Sequence, residues 1–304
     1  TCDVKINYRI YKFEDDKILL DSGTIHISDI NNDNSVKDLS GKIPLKLLHG
    51  GKYRLKMRLT DNKKDVTTEN ELTIDKTHPR SRQNFLITDA ETGNLFYHYF
   101  PSTEQIRITS LRNKGKPITF RFYNKEFIIA PPPYADFKFQ QFSYQADSIF
   151  TLPIDDSGYV ELKTKQKGFY HCITDTSSKE GLTIFRFEKH YPKIATAEAL
   201  VEPLRYLTTG DEYKKLTTAT DKKIAVDDFW LEKCGSRERA REIIRVYYGR
   251  VESANRKFGS YIEGWKTDRG MIHIIFGDPK YIDKSNDSES WIYGDRYSSQ
   301  SIRF

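Results

Sequence analysis

The feature that most constrains how this 304-residue chain can fold is an apolar stripe that leads into a turn of unusual composition. Between Ser236 and Gly259, apolar residues follow one another at spacings of 4, 3, 4, 3 and 4. That spacing keeps them on one face of an α-helix. We predict a helix that Ser236 caps, that Gly259 ends and that docks through its apolar face. The stripe consists of Ala240, Ile244, Tyr247, Val251, Ala254 and Phe258.

The opposite face of this helix carries most of its charges, from Arg237 to Lys257. Such a face is usually solvated or contacts another protein, although it could also meet the phosphates of lipid or nucleic acid. The net charge of the chain, +6, is mild, and only this helix concentrates basic residues in the way that nucleic-acid-binding proteins do. We favour solvent or protein contact and predict no nucleic-acid partner.

The helix leads into the turn Gly264-Trp265-Lys266-Thr267-Asp268-Arg269-Gly270. The two glycines suit special backbone angles or close backbone approach, and Trp265 is expected to bury its ring. Asp268 can accept backbone N–H groups, and Arg269 can pair with a carboxylate. These two side chains could instead bind an anion or act on a substrate. No His, Cys or Ser adjoins them, so we predict a structural motif without catalytic or metal-binding residues; it consists of Gly264, Trp265, Thr267, Asp268, Arg269, Gly270, Gly277 and Pro279.

The apolar run at 271–276 follows the turn and is bounded by Gly277-Asp278-Pro279. Its short length and its neighbours predict a β-strand, with His273 as a partly exposed residue of that strand. His273 could act as a ligand or a base, but it stands alone in the sequence. Further strands are predicted at 291–293 and 301–304. The second resembles a strand cut off in mid-course, so we expect the C-terminal domain to continue beyond the chain.

The first two thirds of the chain show the period of two that is typical of β-strands. Residues 1–76 predict a small antiparallel β-sandwich. Residues 80–190 predict a second one, with strand candidates from 85 to 187 that include one at 138–142. Tyr170 precedes Cys172 by two residues, as at the tyrosine corner of immunoglobulin-like sandwiches, although no second cysteine completes their bridge. The fold class predicted is therefore mainly β with a C-terminal α+β domain: two antiparallel β-sandwich (Ig-like) domains, then helices packed on a small sheet.

Helical signals begin after Tyr191-Pro192 and define a third domain at 196–304. A short helix is expected to start at Thr209-Gly210, with acidic residues in its first turn. Thr220 is the predicted cap of the next helix, which should stop at Gly235.

Three cysteines do not form a disulfide framework, and no CxxC pair suggests zinc, so we predict no metal and no cofactor. Cys2 lies almost at the first residue. It is either a stray surface cysteine or the acylated residue of a bacterial lipoprotein. No apolar run is long enough for a spanning helix.

Five patterns follow one another in the C-terminal part: Phe229-Trp230, Tyr248-x-Arg250-Val251-x-x-Ala254-Asn255-x-x-Phe258, the turn at 264–270, Ile274-x-Phe276-Gly277-x-Pro279-x-x-Ile282 and Trp291-x-Tyr293. In order, spacing and residue types they resemble the GWxTD domain of envelope proteins of Bacteroidota. The resemblance covers roughly 196–304. It implies a place in the cell envelope and β-rich domains in front, with a signal peptide or lipoprotein signal. It implies no catalytic residue. Cys234-Gly235-Ser236 departs from the acidic, proline-containing segment that the family more often has.

Two functional hypotheses remain open from the sequence. The first is a non-enzymatic lipoprotein, anchored in the outer membrane through Cys2, that serves as an accessory or scaffold subunit of an outer-membrane protein complex for assembly, secretion or uptake. It would face either the periplasm or the cell surface. The alternative is a periplasmic module that binds or hydrolyses glycan or peptide. Aromatic-rich sheets, with 19 Tyr and 18 Phe in the chain, suit the protein-binding surfaces of the first hypothesis.

Overall fold

The computed structural model describes residues 3–28, 43–45, 47, 50–78, 80–91, 93, 95–96, 99–100, 105–125, 143–164, 166–285 and 288–304. β-Sheets occupy the N-terminal part of the chain, and five α-helices precede a small sheet in the C-terminal part. The predicted fold class, mainly β with a C-terminal α+β domain, is confirmed. Cys2 and the strand predicted at 138–142 lie outside the described residues.

The N-terminal unit is a four-stranded antiparallel sheet with the order β2-β1-β3-β4. One face is apolar, and Ile10, Tyr53 and Leu55 are buried there beneath Leu45 and Leu47. The sequence predicts a two-layered sandwich for this unit, whereas its described residues form one sheet. The strands are β1 (Asp3–Lys12), β2 (Asp15–Ser28), β3 (Lys52–Asp61) and β4 (Val66–Asp75).

The second unit is a sandwich of two sheets whose facing side chains form one core. One sheet has the order β10-β9-β12-β13-β7 and the other the order β11-β8-β5-β6. Phe120 of the first sheet and Ile106 of the second both belong to this core and are fully buried. Tyr170 donates its hydroxyl to the carbonyl of Gln166 at 3.3 Å, four residues upstream, as in a tyrosine corner. The strands are β5 (Leu86–Asp89), β6 (Leu95–Phe96), β7 (Tyr99–Phe100), β8 (Gln105–Thr109), β9 (Pro117–Tyr123), β10 (Ser148–Pro153), β11 (Tyr159–Lys163), β12 (Gly168–Ile173) and β13 (Leu182–Arg186).

The helices of the C-terminal part pack around the long helix α4. The hydroxyl of Ser236 accepts the N–H of Arg239, and α4 ends before Gly259, so the predicted bounds of this helix are confirmed. The next helix upstream is capped by Asp221, one residue after the predicted Thr220, and it ends at Gly235 with a left-handed φ of 72°. The helices are α1 (Ala197–Val201), α2 (Gly210–Thr218), α3 (Lys222–Cys234), α4 (Arg237–Phe258) and α5 (Asp268–Phe276).

Helix α5 occupies the segment for which the sequence predicts a strand, and that prediction is wrong. A short apolar run fits a buried helix as well as a strand, so its period does not distinguish the two. Thr267 caps the segment as a helix by accepting the N–H of Gly270. His273 is consequently buried against α4, with 2% of its surface exposed. The prediction that it is a partly exposed strand residue is therefore wrong as well.

Three short strands complete the C-terminal part as a sheet with the order β14-β15-β16. They are β14 (Tyr281–Lys284), β15 (Glu289–Tyr293) and β16 (Ile302–Arg303). Trp291 of β15 packs on Phe258 at the end of α4, with 5.4 Å between the ring centroids. No helix in the described part of the chain combines the length and apolarity that crossing a bilayer takes.

Candidate functional site

The turn between α4 and α5 brings three backbone segments into direct contact at two glycines. A Cβ atom on Gly264 would lie 2.0 Å from the carbonyl oxygen of Ala254 in α4. A Cβ atom on Gly270 would lie 1.9 Å from the carbonyl oxygen of Gly264. Both glycines are buried, and neither has the left-handed φ of a turn glycine. Close packing of α4, the turn and α5 is therefore what excludes a side chain at these positions.

Thr267 holds the turn together through its hydroxyl. This group donates to the carbonyl of Gly264 at 2.7 Å and accepts the N–H of Gly270 at 3.0 Å. The capping role expected of Asp268 is thus filled by Thr267, and Asp268 is exposed in the first turn of α5. A carboxylate there interacts favourably with the N-terminal end of the helix dipole. Arg269 is exposed and pairs with Glu289 of β15 at 3.3 Å.

Trp265 is buried, with 4% of its surface exposed, and its backbone is held from two sides. Its N–H donates to the side-chain oxygen of Asn255 at 3.1 Å. Its carbonyl accepts the hydroxyl of Tyr206 at 2.9 Å, and the two rings meet edge to face. The aromatic side chain therefore fills the space between α4 and the short helices that precede α2.

Asn255 connects this turn to the segment that leaves the sandwich. Its side-chain amide donates to the carbonyl of Pro192 at 3.1 Å, and its own carbonyl accepts the hydroxyl of Tyr191 at 2.6 Å. Asn255 is 2% exposed. It is absent from the residues predicted as the structural motif, although it stands among the residues that carry the family resemblance. Its place inside a helix is a second signal, since asparagine is unfavourable there unless its side chain bonds elsewhere.

Gly277 ends α5 and Pro279 follows it in the turn to β14. Gly277 has a φ of 83°, a conformation that glycine adopts without strain. Its carbonyl accepts the hydroxyl of Tyr293 at 2.8 Å. Arg250 of α4 donates to the carbonyls at 274 and 275 at 3.1 and 2.9 Å, which satisfies the free carbonyl groups at this helix end.

A cleft of about 450 Å³ lies where the sandwich meets the turn. Lys167, from the loop that connects β11 to β12, and the segment 188–196 line the cleft together with Glu263 and Trp265. A chain of charges crosses it. Lys167 lies 3.2 Å from Glu188 and 3.9 Å from Glu263, and Lys266 lies 2.9 Å from Glu263. Burial lowers the pKa of Lys167, but Glu263 and Glu188 outweigh it and leave that pKa raised, so the ammonium stays charged.

The sequence model of the GWxTD domain matches residues 168–304. The chain is a GWxTD domain-containing protein. No curated protein matches it. The match begins at the first residue of β12, so the GWxTD domain includes β12 and β13 of the sandwich in addition to the expected stretch 196–304. The hydrogen bonds of Asn255 join α4 to the segment that follows those strands.

Replacing Asn255 of the GWxTD domain by alanine removes both hydrogen bonds of its side chain. The N–H of Trp265 and the carbonyl of Pro192 then remain without their partner. We expect a loss of about 2–4 kcal/mol in the free energy of unfolding, measured by urea denaturation of the full chain. Glu242→Ala, at an exposed position of the same helix, is the control and should change stability by less than about 0.5 kcal/mol. Equal midpoints for both variants would contradict the assigned role.

His273 makes the stability of the GWxTD domain depend on pH. Burial lowers its pKa, although Asp278, whose carboxylate lies 3.3 Å from Nδ1, acts in the opposite direction. Lys257 pairs with Asp278 at 2.6 Å, and the charges of Lys257 and Arg250 lower the pKa of His273 further. The unfolded chain, in which histidine has its ordinary pKa of 6.5, therefore takes up a proton more readily than the folded chain.

We therefore expect stability to be complete above that pKa and to fall as the pH drops from about 7 to 5.5. The test compares urea midpoints at both pH values for the wild type, for His273→Phe and for His78→Gln, which changes an exposed histidine. His273→Phe should reduce the dependence to the part that His171 contributes, since burial lowers the pKa of His171 as well, and His78→Gln should keep it. A wild-type slope that survives in His273→Phe would assign the effect to other groups.

Proposed function

We propose that this protein is a non-enzymatic accessory or scaffold subunit of an outer-membrane protein complex, anchored in the cell envelope through an acylated Cys2. The observation that supports the proposal is that the motif residues of the GWxTD domain have structural roles. Gly264, Trp265, Thr267 and Gly270 serve backbone contact, burial and capping. Residues used in this way hold α4, the turn and α5 together within one domain, which supports a structural use of the signature and not a catalytic one.

Exposed apolar side chains on the N-terminal sheet support a role in protein binding. Val66 and Leu72 of β4 are 55% and 48% exposed, and Ile18, Leu19 and Leu20 of β2 are 44–50% exposed. Apolar and aromatic side chains at the surface are the usual centres of protein interfaces. These side chains are candidates for partner contacts, as are exposed apolar residues of the other units such as Ile149 and Ile224.

The alternative function, a periplasmic module for glycan or peptide, rests on the cleft beside Trp265. Its most enclosed carboxylate, that of Glu263, already pairs with the ammonium of Lys266 at 2.9 Å. A general acid for hydrolysis needs a carboxyl group that is free to give its proton to the leaving group. The cleft therefore supports ligand binding more than hydrolysis, and a binding cleft is compatible with a scaffold subunit.

Two measurements on the full-length protein in its native cells test this proposal. Mass spectrometry of the N-terminus should find an acylated Cys2. A tagged copy, purified from detergent-solubilised membranes, should retain outer-membrane proteins in fixed ratio. The variant Cys2→Ser should leave the membrane fraction, whereas Cys234→Ser, which changes the half-exposed cysteine at the end of α3, should stay in it. An unmodified N-terminus together with recovery as a lone soluble monomer would refute the proposal.

A further inference from the structure

The cleft between the sandwich and the turn has a mixed set of charges that favours one kind of ligand. We infer that it receives a basic side chain, a lysine or an arginine, from a peptide segment of a partner protein. The inference rests on the proposed role as an interaction subunit and names a site and a chemistry for it. Four glutamates and three lysines line the cleft, so its lining is slightly acidic.

Glu263 is the residue that would hold the cation. Its side chain is 14% exposed, which is less than that of the other ion-paired carboxylates of the cleft. One oxygen, Oε2, receives Lys266 at 2.9 Å. The other, Oε1, lies 3.9 Å from Lys167, which is beyond hydrogen-bonding distance. Oε1 can therefore exchange this long ion pair for a shorter, charge-assisted bond from a guanidinium or ammonium group of a ligand.

Lys167 is the internal competitor for that position. Its ammonium is held more closely by Glu188, at 3.2 Å, than by Glu263, at 3.9 Å. Glu188 is itself 74% exposed. A ligand cation that reaches Glu263 leaves Lys167 paired with Glu188, so binding does not strand a buried charge. Removing the charge of Lys167 should consequently strengthen binding.

The walls of the cleft suit the hydrocarbon part of a basic side chain. Trp265 and Tyr191 are aromatic residues of the lining, and Ile194 and Ala199 add apolar atoms. Lysine and arginine place their methylene groups on such surfaces while the charged end reaches a polar partner. Arginine also stacks on aromatic rings, so it should bind better than lysine.

The rim of the cleft has charges of both signs, and they limit which peptides fit. Glu198 and Glu202 are 68% and 52% exposed and lie 3.8 Å from Lys222 and 4.0 Å from Lys266, so a basic segment can exchange with these long ion pairs. Lys189 and Lys193 are exposed on the linker and oppose a second cation close to the first. We therefore expect one isolated basic residue to bind better than a polybasic run. An anionic ligand would have to displace Glu263 or Glu188 from Lys167 and face the remaining carboxylates.

The test is an NMR titration of the 15N-labelled full chain with three short peptides that differ in one side chain. The probe is acetyl-Gly-Arg-Gly-amide, its neutral match has citrulline in place of arginine, and the anionic peptide has glutamate there. Shifts of the backbone amides at Glu263 and Trp265 report occupancy. The arginine peptide should bind about tenfold more tightly than the citrulline peptide, since a charge-assisted bond is lost in the second.

Two substitutions should change the affinity of the arginine peptide in opposite directions. Glu263→Gln should weaken binding about tenfold, because it removes the charged acceptor. Lys167→Met should strengthen binding, because it removes the competing ammonium. If the ion pair of Lys167 and Glu263 were purely structural, both variants would lose stability and neither would change its affinity for the peptide. Glu238→Gln, at an exposed site of α4 outside the cleft, is the matched control and should leave the affinity unchanged.

Three results would overturn the inference: equal binding of the arginine and citrulline peptides, preference for the glutamate peptide, or weaker binding after Lys167→Met. The envelope function has a separate readout. A protein that keeps its acylated Cys2 and its membrane partners, but whose cleft ignores the arginine peptide, would retain the proposed function and lose only this site. If Glu263→Gln keeps the acylated Cys2 but loses the membrane partners, the cleft is the site through which the protein binds those partners.

Discussion

Gly270→Ala should lower the free energy of unfolding of the GWxTD domain by about 3–4 kcal/mol. The methyl group would need the space of the Gly264 carbonyl oxygen, which lies 1.9 Å from the ideal Cβ position. The obstacle is backbone, and it is fixed in turn by the contact of Gly264 with Ala254 at 2.0 Å. A flexible side chain could move aside, whereas these three segments would have to separate.

Gly249→Ala is the matched control for this substitution. Gly249 lies on the exposed side of α4, and no heavy atom lies within 4 Å of its ideal Cβ position. Alanine is a better helix former than glycine, so this variant should be more stable by about 0.5–1 kcal/mol. Thermal and urea denaturation of the full chain measure both. Similar, small effects at positions 249 and 270 would show that α4, the turn and α5 are less closely packed than described.

Trp265→Ala should cost the same domain about 3–5 kcal/mol, because it removes a large buried ring that the surrounding side chains cannot replace. Trp265 is 4% exposed and belongs to the core that α3, α4 and α5 share. The variant should also change the environment of Tyr206, whose ring centroid lies 6.0 Å from that of the indole. Denaturation followed by circular dichroism gives the first quantity, and near-ultraviolet dichroism reports the second.

Tyr297→Ala serves as the control, since Tyr297 is 96% exposed and should contribute less than about 0.5 kcal/mol. A Trp265→Ala protein that melts like the wild type but loses its partners would reassign the tryptophan. It would then be a contact residue of an interface and not a determinant of the fold.

Helix α4 shows which parts of the fold can be predicted from the sequence. Its stripe is long enough to fix the period, and local side chains mark both ends, so nothing distant was needed. Helix α5 shows the opposite case. Its nine residues contain a β-branched, apolar run, and the decision for helix depends on the Thr267 cap and on contact with α4.

The candidate site was predictable only in part for the same reason. The sequence indicated the turn at 264–270 because unusual residues are adjacent there. It could not indicate that Lys167 meets Glu263, or that Asn255 meets Pro192, since these contacts join residues that are 96 and 63 positions apart. The high content of tyrosine and phenylalanine predicts aromatic-rich sheets. In the C-terminal part, tyrosine hydroxyls instead bind backbone carbonyls, as Tyr247 does at Pro203 and Tyr248 at Leu200.

The linker after the sandwich has a mechanical consequence. Tyr191, Pro192 and Ile194 are each hydrogen-bonded to the last turns of α4, at Asn255 and Glu252. Tension applied between the N-terminal sheets and the C-terminal domain therefore acts on these bonds together, across the helix, before it can extend the linker. A pull across this junction would thus load α4 directly, and the chain between β13 and α1 would not be the first part to lengthen.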